Sequence, residues 1–155
     1  MIYTYVPLTQ RQAEQIAYDW QYEGEFAFYD MPNDPEDLAE FLDSDQRTEH
    51  YYAVMDGTQL IGFFVFDPGP DSLELALGMR PDLTGQGNGT AFLGSGLAFA
   101  IQKYQPRQIE LAVAAFNERA LYTKSGFEPV ERFQQETNGG SYEFVKMRLH
   151  TEIMK

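Results

Sequence analysis

Residues 73–114 read LELALGMRPDLTGQGNGTAFLGSGLAFAIQKYQPRQIELAVA, and three periods follow one another along them. From Leu73 to Met79 the apolar Leu73, Leu75, Leu77 and Met79 alternate with Glu74, Ala76 and Gly78, the period of a strand whose second face is thin. From Gly89 the spacing becomes helical, with Leu93, Leu97, Ala100, Ile101 and Tyr104 on one face. Ile109, Leu111 and Val113 set against Glu110, Ala112 and Ala114 restore the strand period. Strand, helix and strand in that order predict a parallel pair joined by a right-handed crossover.

The flanks add antiparallel material. Tyr51–Met55 and Leu60–Phe66 are two strands around Asp56 and Gly57, a dipeptide that tolerates positive φ and so predicts a tight hairpin. Upstream, Ile2–Val6 reads as a strand, and Thr9 with Gln12 forms a capping box before Ala13, Ile16, Ala17 and Trp20, which share a helical face. Asp34 and Pro35 start a second helix that buries Leu38, Phe41 and Leu42, while residues 22–33 mix acids and aromatics without a period and read as a loop or irregular helix. Downstream, Asn117 caps a short helix that Gly126 ends in the left-handed region, and FEPVERF and YEFVKMRL close the chain as strands. The class is α+β with a mixed sheet in a single domain spanning residues 1–155.

Charge and composition exclude several functions. Eleven Lys plus Arg against 24 Asp plus Glu leave 11 − 24 = −13, which repels nucleic acid and anionic membrane surfaces. The absence of Cys removes disulfides, thiolate catalysis and Cys-ligated zinc, and His50 and His150 are too few for most metal or triad chemistry, so no metal is expected. MIYTYVPLTQ has no basic stretch leading into an apolar run, and no apolar stretch approaches the roughly 18 residues of a membrane span. A cytoplasmic protein is expected.

Chemistry concentrates in TGQGNG, Thr84–Gly89, a glycine-dense turn running into a helix. Unpaired N–H groups and the positive dipole end of a helix attract anions, and glycines let a phosphate approach the backbone without meeting a Cβ. The donors would come from Gln86, Gly87, Asn88, Gly89 and Thr90. The same glycines would also serve a plain tight loop. A Walker loop fails because Thr90 and Ala91, not Lys, follow Gly89; a dinucleotide fingerprint fails because the third glycine is missing and RPDLT separates strand from loop.

TGQGNG resembles the R/Q-x-x-G-x-G/A turn with which the GCN5-related N-acetyltransferases, the GNAT family, bind the pyrophosphate of acetyl-CoA after their fourth strand. NERALYTKSGF resembles the family's second signature through Asn117, Leu121, Tyr122, Gly126 and Phe127. The likeness is closest over residues 73–130. It implies a three-layer α/β/α acyl-CoA N-acyltransferase fold whose mixed, mostly antiparallel sheet has about seven strands, with about four helices. Thr84 departs from the family's Arg or Gln, which implies weaker coenzyme binding; Ala112 stands where ribosomal-protein alanine acetyltransferases carry an acid, which argues against that substrate.

The resemblance also implies roles. Thr84, Gly85, Gln86, Gly87, Asn88, Gly89 and Thr90 would hold the pyrophosphate, and the main chain of Leu77 and Met79 would pair with the pantetheine arm and polarise the acetyl carbonyl if the strands splay. Tyr122 would protonate the departing thiolate, although a tyrosine there also packs a short helix. Asn117 would cap its helix and touch the coenzyme arm. Glu74 is the candidate base, unless it simply reaches solvent at the strand's beginning; Glu110 shares that ambiguity, and His50 reads as surface. Glu23, Glu25, Tyr29 and Asp30 would line the acceptor side and favour a cationic amine, or be solvated surface. The expected reaction is acetyl transfer from acetyl-CoA to a primary amine, by a monomer or a homodimer, across which a closing strand such as Tyr142–Arg148 could pair. A catalytically silent acyl-CoA-binding module and a nucleotide-binding protein are the competing readings.

Overall fold

The first helix, α1 (Gln10–Asp19), starts by the exchange its sequence predicts: Thr9 Oγ1 accepts from the Gln12 N–H at 3.1 Å, and Gln12 Oε1 accepts from the Thr9 N–H at 3.0 Å. Two orphan donors are thereby satisfied, and Ala13, Ile16, Ala17 and Trp20 turn inward. The computed structural model describes residues 2–20, 35–45, 49–83, 87–115, 120–137 and 140–151. Residues 1–65, 77–84 and 137–140 make one compact unit, and residues 66–76, 85–136 and 141–155 a second.

The elements beside α1 are β1 (Thr4–Pro7), α2 (Pro35–Leu42), β2 (Tyr51–Asp56), β3 (Gln59–Pro68), β4 (Ser72–Met79), α3 (Gly89–Tyr104), β5 (Gln108–Ala114), α4 (Ala120–Lys124), β6 (Glu128–Thr137) and β7 (Gly140–His150). The seven strands form a mixed sheet in the order β1-β2-β3-β4-β5-β7-β6, with four α-helices among the described residues. The α+β class is as expected. No helix among the described residues is long and apolar enough to cross a membrane.

In the first unit, β1 pairs antiparallel with β2, and β2 with β3. The hairpin turn sits one residue later than its sequence suggests. Asp56 pairs with Gln59, so Gly57 and Thr58 are the central residues, and Gly57 supplies the positive φ of +62°. Glycine at the first central position matches the right-handed twist of the flanking strands. The register then slips between Val54 and Met55, leaving Ile61 as an extra residue in β3. Its carbonyl is not wasted: the Arg80 N–H donates to it at 2.8 Å. Ala13, Ile16, Trp20, Phe41, Ala53 and Leu60 form the core of this unit, and the Gln10 side chain ties α1 to the end of α2 by donating to the Leu42 carbonyl.

In the second unit, β4 and β5 run parallel, with Leu73 opposite Ile109 and Glu74 opposite Glu110, as the crossover predicts. Phe92, Leu93, Gly96, Leu97 and Ala100 of α3 are buried, while Ile101 and Tyr104 are half-buried. Among the described residues the β4–β5 ladder has three pairs and ends at Glu74–Glu110, so Leu75 and Ala76 have no partner on β5. The pairing of Tyr142–Arg148 across a dimer is overturned. β7 lies between β5 and β6, so both of its edges are occupied, and among the described residues the sheet order ends in β1 and β6.

Candidate active site at the start of helix α3

Chain geometry ahead of α3 is that of an open turn. Gly87 has φ +81°, a conformation that strains any side-chain-bearing residue, and a Cβ built there would meet nothing within 4 Å. The first bond of the helix runs from the Phe92 N–H to the Asn88 carbonyl at 3.0 Å. The N–H groups of Gly89, Thr90 and Ala91 come before it and have no acceptor within the helix. No acidic side chain occupies the first turn, although the chain carries a net −13. The positive end of the α3 dipole is therefore not neutralised by its own sequence, and a glycine cradle at such an end fits a phosphate.

Gly89 is also where the two motifs meet. A Cβ there would lie 3.5 Å from Leu121 Cδ2, so the first residue of α3 is seated on a side chain of α4. Tyr122, the next residue, is buried with 8% of its surface exposed, and its ring meets Phe127 edge-on with centroids 6.2 Å apart at 80°. The end of α4 explains that placement. The Phe127 N–H donates to the Tyr122 carbonyl at 3.0 Å and the Gly126 N–H to Thr123 at 3.1 Å, the paired bonds of a left-handed helix stop, with Gly126 at φ +99°. Tyr122 and Phe127 are the apolar pair that accompanies such a stop, so one motif both ends the helix and fixes the tyrosine.

A family model described as an acetyltransferase (GNAT) domain matches residues 4–128. The chain belongs to the GNAT acetyltransferase family. Its fold is that of solved GNAT structures. A spermidine N-acetyltransferase SpeG chimera from Vibrio cholerae and hSSAT has a TM-score of 0.73 at 20% identity, with 97% of each chain covered. A GNAT-family acetyltransferase from Bacillus anthracis has a TM-score of 0.74 at 13% identity over 98% of this chain and 96% of that one. AAC(6′)-Ib, in complex with ribostamycin and coenzyme A, has a TM-score of 0.72 at 16% identity over 99% and 96%. Among curated proteins none matches.

The other candidate site residues lie in different places. Thr84, Gly85, Gln86 and Asn117, and the acceptor candidates Glu23, Glu25, Tyr29 and Asp30, lie outside the described residues. Leu77 and Met79 close β4, half-buried and buried respectively, on either side of Gly78. Glu74 is exposed near the opposite end of the strand, in a groove of about 370 Å³ lined by Asp67, Gly69, Pro70, Asp71 and Ser72. Glu110 has a different occupation: Arg148 Nη2 and Nε donate to its Oε2 at 2.7 and 2.8 Å, and it is 7% exposed. Arg148 stands directly opposite Glu110 across the β5–β7 ladder. His50 is half-buried, with Nε2 3.8 Å from Glu49.

Two contacts were not read from the sequence. Gly78 makes room for an aromatic ring, because a Cβ there would lie 2.4 Å from Phe63 Cε1. Arg80 forks onto Asp82 with Nε–Oδ1 at 2.6 Å and Nη2–Oδ2 at 3.2 Å, which holds the Asp82 carboxyl below the usual range. The R-x-D spacing in RPDL was the available signal for the second. For the first there was only a lone strand glycine, which has several meanings.

Proposed function

We propose that the chain is an acetyl-CoA-dependent N-acetyltransferase that passes the acetyl group directly to a primary amine in a ternary complex. The observation that carries this reading is the seating of Leu121 on Gly89, which joins the glycine turn to the segment bearing Tyr122. Thr84 to Thr90 are assigned to the coenzyme's pyrophosphate, Asn117 to its arm, and the main chain of Leu77 and Met79 to the pantetheine and the acetyl carbonyl. The amine nitrogen bonds to the acetyl carbon, the carbon–sulfur bond breaks, and the sulfur takes a proton from the Tyr122 hydroxyl. The amine's own proton leaves through water to Glu74, which lies nearer the opposite end of β4 from Met79.

A cationic acceptor is the reading that charge supports. The net charge of −13 attracts cations, and the loop assigned to the acceptor carries Glu23, Glu25 and Asp30 with Tyr29. Neighbours of the same fold are a spermidine N-acetyltransferase and an aminoglycoside acetyltransferase. Calorimetry of CoA binding to wild type and Gly87→Val tests the coenzyme site. A β-branched residue at φ +81° puts strain and bulk where the phosphates approach, so affinity should be lost with the fold retained. Equal affinity in the two proteins would remove the turn from the site.

A silent acyl-CoA-binding module is the second reading, favoured by Thr84 in place of Arg or Gln and by the close packing of Tyr122 on Phe127. Such a module binds CoA and releases no thiol when amines are added.

A further inference from the structure

Phe63 packs against the core of the first unit. Its ring lies against Gly78, 2.4 Å from where a Cβ would stand, and Gly78 sits between the two residues whose main chain is assigned to the acetyl-bearing arm. The same ring meets Trp20 at 6.4 Å and the edge of Phe41 at 5.5 Å between centroids. Trp20 is the residue from which the chain enters 21–34, the stretch holding Glu23, Glu25, Tyr29 and Asp30. One ring thus links the root of the acceptor segment to the strand residues of the acetyl group. Trp20 and Phe41 are buried, whereas Phe63 is half-buried and keeps part of its surface open.

An aromatic face holds a cation by its quadrupole, and an acetyltransferase acceptor presents one when it carries a second ammonium beside the neutral amine that reacts. We infer that Phe63 is a specificity-determining residue that selects acceptors bearing a second positive charge, its ring receiving that charge while the first amine faces the acetyl group. The inference rests on the acetyltransferase reading above. Gly78 is then part of specificity: any larger residue would displace the ring from its place.

Trp20 is the only tryptophan of the chain, so its fluorescence reports on the ring beside it. The probes are 1,4-diaminobutane and n-butylamine, equal in carbon number and differing by one ammonium, titrated at fixed ionic strength. The wild type should give a saturable change with the diamine and a much weaker one with the monoamine. Phe63→Leu should lose about fivefold or more in diamine affinity, and Phe63→Tyr, which keeps an aromatic face, should retain it. Gly78→Ala, which displaces the ring without altering it, should resemble Phe63→Leu. Equal diamine affinity in wild type, Phe63→Leu and Gly78→Ala would overturn the inference, as would the lack of a saturable signal in the wild type. CoA binding measured on the same samples separates the two claims: lost CoA binding in the wild type contradicts the acetyltransferase reading, whereas retained CoA binding with no diamine selectivity contradicts only the role of Phe63.

Discussion

Gly126→Ala is the substitution whose cost follows most directly from the local structure. At φ +99° an L-residue leaves its favoured backbone regions, which costs roughly 1–2 kcal/mol. The added methyl would also stand 2.9 Å from Leu149 Cδ1, and Leu149 is 4% exposed on β7, with little room to withdraw. Crowding a packed site by one methyl adds on the order of 1 kcal/mol, while the stiffer unfolded chain returns about half of that. The net loss should be about 2 kcal/mol. Urea unfolding followed by circular dichroism measures it, as a lower midpoint with an unchanged slope. Turnover should fall as well, because the helix stop holds the Tyr122 carbonyl through the Phe127 N–H, whereas CoA affinity should barely move. Gly126→Asn separates the two contributions, since asparagine tolerates positive φ but still meets Leu149. A Gly126→Ala protein within about 0.5 kcal/mol of wild type would refute the left-handed stop and with it the physical account of how Tyr122 is placed.

Gly78→Ala should destabilise by about 1–3 kcal/mol in thermal unfolding, and by less in a Phe63→Leu background, because the ring at 2.4 Å is the obstacle. Glu110→Ala should cost about 3 kcal/mol by urea unfolding, the low end for a broken buried pair, because the Arg148 side chain is 33% exposed and regains some water. Asp82 should titrate by NMR below the usual carboxylate range and return toward it in Arg80→Ala. A depressed folded-state pKa contributes stability above the unfolded value that is lost as pH falls through the folded one, so the stability gap between these two proteins should narrow in acid. Tyr122→Phe should lower turnover about a hundredfold or more with CoA affinity unchanged; a variant retaining more than roughly a tenth of wild-type turnover, with chemistry rate-limiting, would remove the phenol from the mechanism.

Much of the fold was legible because its signals are local. Thr9 and Gln12 lie three residues apart and form the capping box they spell, and the change of period at Gly89 marks the start of α3. Gly126 and Phe127 form the helix stop within a few residues of Tyr122. What escaped depends on long-range partners. Nothing in YEFVKMRL reveals that β7 inserts between β5 and β6, and an edge strand and an inner strand of similar composition read alike. The pairing of Glu110 with Arg148 needs the β5–β7 register, and without it Glu110 is just another acid on a strand. The hairpin centre moved from Asp56–Gly57 to Gly57–Thr58 because strand pairing, including the slip that isolates Ile61, set the register rather than dipeptide preference. The glycine turn and Tyr122 were singled out by paired motifs, while the contact of Phe63 with Gly78 had no signal beyond a lone strand glycine.

Release of CoA thiol from acetyl-CoA, followed with and without added amines, asks whether the protein acetylates an amine. The panel should include 1,4-diaminobutane, n-butylamine, an aminoglycoside and a peptide with a free N-terminus. Amine-dependent thiol release should appear, matched by one equivalent of acetylated amine and greatest for cationic acceptors. CoA binding with no amine-dependent thiol release across the panel would contradict it and leave a coenzyme-binding module in its place.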